Sequence, residues 1–128
     1  MSPAKIKIKA RAQKRREPGT MSLTESRYAA ELESRLKAGT IDRYDYEPES
    51  LKLAKKCAYT PDFRVVENDG TVVMIEVKPH GWRNIPNQAN SSTKIKVAAR
   101  LHPYVFVRAT ERAKRDGGGF AVEVIEGE

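Results

Sequence analysis

Two carboxylates and a lysine fall close together in the segment PDFRVVENDGTVVMIEVK, residues 61–78. Asp62 stands at its start, and Glu76 and Lys78 stand two residues apart at its end. Two carboxylates can hold Mg²⁺ against a phosphate group, and a neighbouring lysine can orient or activate a water molecule. These residue types therefore indicate metal-assisted phosphodiester chemistry, provided that the fold brings them together.

A β-hairpin would bring them together. Thr60–Val66 and Thr71–Lys78 are rich in β-branched residues, which favours strands. Residues 68–70, Asn-Asp-Gly, fit a three-residue hairpin loop with glycine in the left-handed conformation. With that loop Asp62 lies opposite Glu76, and the lysine two residues later shares the same face because side chains alternate along a strand.

A fourth carboxylate, that of Glu25, lies on the first predicted helix, residues 22–37, which ends before Gly39. A helical wheel places Glu25 in the middle of the apolar stripe, which consists of Tyr28, Ala29, Leu32 and Leu36. A carboxylate in that position is costly unless a metal or a hydrogen-bond network compensates it. The run SLTE also fits a capping box, in which Glu25 accepts from the amide of Ser22. The residues alone leave both interpretations open.

The remaining elements follow from composition and turn residues. Strands are predicted at Ile41–Glu47, Tyr104–Ala109 and Phe120–Ile125, and a second helix at Thr93–Leu101. Gly81 to Ser92 has the composition of a loop. The order helix, strand, hairpin, helix, strand, strand predicts an α/β (α+β) domain with a mixed central sheet.

Composition limits the classes of protein that fit. A chain of 128 residues accommodates one domain. No window approaches the roughly 20 apolar residues of a membrane span, and no signal-peptide apolar core is present. Cys57 is the single cysteine, so an internal disulfide and a cysteine-based zinc site are excluded. We expect a cytoplasmic protein without membrane association.

Basic charge is concentrated at the N-terminus. Of the net charge of +7, residues 1–18 contribute +6, with Lys14, Arg15 and Arg16 adjacent. Pro18-Gly19 marks a boundary, which predicts a basic arm at 1–19 and a single domain at 20–128. The arm is either a polyanion-binding segment, with DNA as the partner, or a solubilising tail.

The pattern Pro61-Asp62, then Glu76-Val77-Lys78, with an upstream helical glutamate, resembles the PD-(D/E)XK nuclease superfamily. Longer stretches are similar to a phage-encoded branch related to the endonuclease subunit of certain bacterial transposases. These stretches are SLTESRYAAEL, YDYEP, YTPDF, IEVKP and KIKVAARLHPYVF. The resemblance extends over most of the chain from Ser22 to Phe106.

The resemblance implies a restriction-endonuclease-like core of four or five strands flanked by helices. Asp62 and Glu76 would be the main Mg²⁺ ligands, aided by the backbone carbonyl of Val77. Lys78 would orient or deprotonate the attacking water, and Glu25 would complete the metal shell directly or through water. Mn²⁺ is expected to substitute for Mg²⁺.

The function implied is a Mg²⁺-dependent endodeoxyribonuclease of phage type, acting in the bacterial cytoplasm. Branched DNA such as a Holliday junction is an expected substrate because related small nucleases are resolvases, and that substrate usually requires a homodimer. Two alternatives stay open: a nuclease that nicks linear duplex DNA, and a non-catalytic DNA-binding module on a nuclease fold.

Further basic residues are candidate DNA contacts. Lys94 and Lys96 open the second helix, and Lys96 forms an i, i+4 pair with Arg100. Phosphate contacts of this kind give affinity without sequence information, whereas the alternative is a solvated helix face. The basic loop at 111–119 either contacts DNA or is a solvated turn.

Two residues after the EVK motif are also candidates. His80 is a candidate phosphate donor. For Trp82, packing at the sheet edge is favoured over base stacking, because an aromatic ring beside a sheet is more often part of the packing.

Overall fold

The computed structural model describes residues 19–127. The helices are α1 (Leu23–Ala38) and α2 (Ala89–Leu101). The strands are β1 (Ile41–Tyr46), β2 (Leu51–Ala54), β3 (Cys57–Tyr59), β4 (Phe63–Glu67), β5 (Val72–Lys78), β6 (Val105–Glu111) and β7 (Phe120–Val124). The basic arm, with Lys14, Arg15 and Arg16, lies outside the described residues.

Five strands form one mixed sheet in the order β1-β4-β5-β6-β7. β5 and β6 are parallel, and the other neighbours are antiparallel. A parallel pair needs a crossover connection, and α2 lies within that connection. The predicted mixed α+β domain is confirmed.

The central hairpin has the predicted register. Phe63 pairs with Ile75 across β4 and β5, and Gly70 closes the loop with φ 90°, a conformation that glycine adopts without strain. Asp62 precedes β4, and its amide donates to the carbonyl of Ile75 at 2.9 Å. The regular pairing of β4 with β5 ends at Phe63 and Ile75, and this additional bond holds Asp62 against the end of β5.

The two helices cover opposite faces of the sheet. The side chains of Tyr28 and Leu32 on α1 pack against odd-numbered residues of the central strands, which are Phe63, Val65, Ile75, Val77, Val107 and Ala109. Ile95 and Ala98 on α2 pack against even-numbered Met74 and Phe106. Because the faces alternate, Glu76 and Lys78 belong to the α2 face, whereas Glu25 comes from the α1 layer.

Helix α1 begins and ends as its sequence predicts. The hydroxyl of Ser22 accepts from the amide of Glu25 at 3.1 Å, and the Ser22 amide donates to Glu25 Oε1 at 2.9 Å. Gly39 follows the helix in the left-handed conformation with φ 78°. The capping box is therefore confirmed, and such a cap contributes about 1 kcal/mol.

Two features of the fold differ from the prediction. A short hairpin, β2–β3, lies in a stretch for which no element was predicted, and its Leu51 and Tyr59 join the core beneath α2. Helix α2 starts at Ala89 instead of Thr93. The added residues include Asn90 and two serines, which favour caps and turns over helix interiors, so composition alone placed them in a loop.

In the part of the chain that the structure covers, no helix is both long enough and apolar enough to span a bilayer.

Candidate active site

The predicted site residues lie near the end of the sheet where β4 begins and β5 ends. Asp62 is fixed there by backbone groups on both sides. The amide of Val77 donates to Asp62 Oδ2 at 2.7 Å, and the amide of Glu47 donates to the Asp62 carbonyl at 2.8 Å. Asp62 is therefore held rigidly against the end of β5.

Glu25 reaches Asp62 from the first turn of α1. The two carboxyl groups are close enough for Glu25 to raise the pKa of Asp62. Glu25 Oε1 also accepts from the hydroxyl of Tyr46 at 3.0 Å and from the Ser22 amide. The same side chain thus caps its helix and borders Asp62, so the two interpretations of Glu25 are compatible.

This carboxylate pair is electrostatically unfavourable without a cation. Burial raises the pKa of Asp62 well above its usual range, and the nearby charges of Glu25 and Glu76 raise it further. The hydrogen bond from the Val77 amide opposes this by lowering the Asp62 pKa. The effects of burial and of the like charges on the Asp62 pKa together outweigh that of the single amide. A bound cation would stabilise the ionised carboxylate in this environment.

Glu76 is engaged with two neighbours that the sequence did not predict. It is buried, and its Oε2 accepts from Arg108 Nε at 3.0 Å, while its Oε1 accepts from the hydroxyl of Tyr59 at 3.2 Å. Burial raises the pKa of Tyr59, and the charge of Glu76 adds to this, so the hydroxyl stays a donor. Both carboxylate oxygens of Glu76 therefore have protein partners.

Arg108 is a buried arginine, 3% exposed, with apolar neighbours on both sides in strand β6. The parallel register places it beside Glu76. Its Nη1 lies 3.3 Å from Glu123 Oε1, and its guanidinium lies 4.8 Å from the centre of the Trp82 ring. The signal in the sequence was the single charge within VFVRA, but no local pattern identifies its partner.

Lys78 is held by neutral groups. Its Nζ donates to Gln88 Oε1 and to Ser91 Oγ, each at 3.0 Å, and lies 5.1 Å from the centre of the Trp82 ring. Among the described residues, Glu76 forms its salt bridge with Arg108 and not with Lys78. Trp82 itself is 4% exposed, which confirms packing over base stacking.

A metal would find oxygen ligands here, although the full predicted set is not assembled. Within residues 19–127, no three His, Cys, Asp or Glu side chains are arranged to hold a metal ion. The carboxylate of Glu76 is engaged by Arg108 and Tyr59 instead. Mg²⁺ needs only one or two carboxylates together with water and substrate phosphate, and Asp62 with Glu25 meets that requirement.

The three predicted basic residues of α2 point in different directions around the helix axis, relative to Ser91, which contacts Lys78. At about 100° per residue, Lys94 is about 60° from Ser91, whereas Lys96 and Arg100 are about 140° and 180° away. Lys94 is half-buried, and the other two are exposed. Only Lys94 therefore shares the flank of the helix that holds Lys78.

Comparison with known proteins adds little. No protein-family model matches the chain, and no curated protein matches it. Among solved structures, it is similar to the crystal structure of SSO0001, with a TM-score of 0.45 and 15% identity over 80% of this chain. The chain spans half the length of the SSO0001 chain. A likeness this distant carries no argument about function.

Proposed function

We propose that the chain is a Mg²⁺-dependent endodeoxyribonuclease of the PD-(D/E)XK type. The observation that carries the proposal is the position of Asp62. It is fixed by the amide of Val77 and lies beside Glu25, at the same sheet edge as Glu76 and Lys78. A titratable group whose pKa is strongly raised, here by burial first and by neighbouring carboxylates second, is typical of a functional site.

Asp62 and Glu25 would hold Mg²⁺, with Glu76 as a further ligand once it separates from Arg108. When bound, the ion supplies an acidified water and neutralises charge on the phosphate. The protein contributes a rigid ligand, because two backbone amides hold Asp62. Mn²⁺ has similar ligand preferences and would substitute.

Lys78 would orient the attacking water or stabilise charge on the scissile phosphate. Its contacts with Gln88 and Ser91 restrict the position of Nζ. Neither partner carries a charge, so the positive charge of the ammonium group is available to an anionic substrate. A fixed donor of this kind costs no reorganisation during the reaction.

DNA is the proposed substrate, with a branched molecule such as a Holliday junction as the first candidate and a homodimer as the form that would cut it. Hydrolysis would leave 5′-phosphate and 3′-hydroxyl ends. The proposed setting is the bacterial cytoplasm, for a phage or prophage product.

A non-catalytic DNA-binding module is the second candidate. The observation that favours it is the commitment of both Glu76 oxygens to Arg108 and Tyr59. A stable Glu76–Arg108 pair would leave the metal with fewer protein ligands than the nuclease requires.

One experiment separates the two functions. The full chain is incubated with supercoiled plasmid, linear duplex and a four-way junction, in Mg²⁺, Mn²⁺ or EDTA. Lys78→Ala and Glu25→Gln are tested beside Glu33→Gln, a control on the same helix whose carboxylate accepts from Tyr44 instead of bordering the site.

Metal-dependent cutting that both site variants lose and the control keeps would support the nuclease. We expect a loss of about 10²–10³-fold for Lys78→Ala, the size seen when one charge-stabilising donor is removed. Cutting that survives both site variants would refute the site. DNA binding without cutting in either metal would favour the binding module.

A further inference from the structure

A concave surface lies close to the candidate site, on the α1 side of the sheet. It is a cleft of about 620 Å³ between α1, the segment after β5, and the loop that joins β6 to β7. Its lining consists of Arg27, His80, Glu111, Arg112, Ala113, Lys114, Gly118 and Gly119. The volume falls within the range of about 300–1,000 Å³ typical of ligand pockets. We call this surface the basic cleft.

The basic cleft is cationic. Arg27, Arg112 and Lys114 contribute exposed positive side chains, and His80 adds an exposed imidazole. Its one carboxylate, Glu111, is engaged by Arg27, whose Nη2 lies 2.9 Å from Glu111 Oε1. That hydrogen bond lowers the pKa of Glu111, which keeps it ionised. Positive charge in a concave surface attracts an anion.

The loop that closes the basic cleft has a defined shape. Arg112 Nε donates to the carbonyl of Gly118 at 2.9 Å, and the Arg112 amide donates to the carbonyl of Gly119 at 2.9 Å. The three glycines at 117–119 have φ of 99°, 65° and 66°, which side chains rarely permit. The glycines therefore let the loop fold back and present Lys114 to the cleft.

The basic cleft adjoins the candidate active site through two short connections. The register pairs Lys78 with Thr110, so Glu111 of the cleft lining follows the residue beside Lys78, and His80 follows Lys78 by two residues. A polymer bound at the active site would therefore pass close to the cleft. Lys94 lies on the other face of the sheet. Positive side chains therefore flank the candidate active site on both faces.

We propose that the basic cleft binds a backbone phosphate of the DNA strand that lies at the candidate active site. This inference rests on the proposed function for the identity of the polymer. The ligand is a phosphodiester, and arginine and lysine side chains are the groups that recognise it without reading sequence. None of these residues is needed for the chemical step.

The test is DNA binding by the full chain in EDTA, measured by fluorescence anisotropy of a labelled duplex over a series of KCl concentrations. Lys114→Ala should bind more weakly and reduce the slope of log K against log salt by about 1, as expected when one phosphate is no longer neutralised. Lys114→Arg should restore both. Arg115→Ala is the matched control, because Arg115 is exposed on the same turn but outside the cleft lining.

Glu111→Gln should change DNA affinity in the opposite direction. It removes the carboxylate and leaves Arg27 free for phosphate, so binding should become tighter. Lys114→Ala that behaves like Arg115→Ala would overturn the proposal, as would weaker binding by Glu111→Gln or no DNA binding by the full chain.

Measuring DNA cleavage in Mg²⁺ beside DNA binding distinguishes a failure of the cleft proposal from a failure of the proposed nuclease function. Cutting by the parent chain, with unchanged binding by the Lys114 variant, refutes the cleft and leaves the nuclease intact. A clear Lys114 effect on binding without cutting refutes the nuclease and leaves the cleft as a DNA-binding surface.

Discussion

Glu76 and Arg108 form a buried ion pair between the parallel strands β5 and β6, with Arg108 Nε 3.0 Å from Glu76 Oε2. Both residues are about 95% buried or more. Removing two charges from water is costly, and such a pair is maintained only by good geometry and further hydrogen bonds. Here the further bonds come from Tyr59 to Glu76 and from Arg108 to Glu123. A metal that recruits Glu76 must compete with this arginine.

Arg108→Met should destabilise the protein by about 3–5 kcal/mol, because it leaves the carboxylate of Glu76 buried and unpaired. Adding Glu76→Gln to that variant should recover most of the loss, since the uncompensated charge is gone. Urea unfolding of both single variants and the double variant in EDTA measures the coupling. Additive losses would contradict a mutually dependent pair.

Asp62→Asn should stabilise the metal-free protein. It removes a buried negative charge beside Glu25 while retaining an oxygen that accepts from the Val77 amide. A gain of about 1 kcal/mol would raise Tm by roughly 4 °C for a domain of this size. Thermal unfolding in EDTA checks this, with Asp45→Asn as the control, because Asp45 is paired with Arg64 near the surface.

Asp62→Asn should also abolish the rise in Tm that Mg²⁺ causes. A ligand that binds only the folded state stabilises it by about 2.7 kcal/mol at 100 times its Kd. The parent protein should therefore melt higher in Mg²⁺ than in EDTA, and Asp62→Asn should melt equally in both. Equal stabilisation of the two proteins by Mg²⁺ would exclude Asp62 as a ligand.

Local signals predicted the hairpin and the first helix correctly. The register that pairs Phe63 with Ile75 depends only on a three-residue loop with Gly70 at its end, and loop length determines register in a hairpin. The limits of α1 depend on Ser22 and Gly39, which are cap residues. Contacts between residues that are close in the chain are encoded by local sequence.

The partners of Glu76 and Lys78 were not predictable in the same way. Arg108 reaches Glu76 through a parallel pairing across the whole α2 crossover, and no local periodicity specifies the register of such a pair. Gln88 and Ser91 lie in a stretch of helix-neutral residues that composition assigned to a loop. The sequence therefore predicted the residues of the motif. The residues that hydrogen-bond to them could be identified only from the fold.

Gln88→Ala and Ser91→Ala should each lower kcat by about 10–100-fold with little change in KM, the size typical of groups that orient a functional residue. Both side chains restrict the position of Lys78 Nζ, so their loss should affect kcat. Neither carries a charge that could bind the substrate, so KM should change little. Steady-state cleavage of a labelled duplex separates the two parameters. Ser91→Thr retains the hydroxyl and should recover activity, and Lys96→Ala, on the far side of α2, is the control.

A rise in KM with unchanged kcat would instead make Gln88 and Ser91 DNA-binding residues. Loss of activity in Ser91→Thr as well as Ser91→Ala would indicate a packing role for the position.

Neutralising the basic arm should weaken DNA binding without changing the folded domain. Residues 1–18 contribute +6 of the net charge of +7, and counterion release makes the affinity of such a segment strongly dependent on salt. Replacing Lys14, Arg15 and Arg16 by Gln keeps the length of the chain and should reduce the salt slope by about 0.9 for each phosphate that the arm no longer neutralises. Lys55→Gln with Lys56→Gln, two exposed residues in the β2–β3 turn, controls for a general loss of charge. Equal slopes for the triple variant and the parent chain would identify the arm as a solubilising tail.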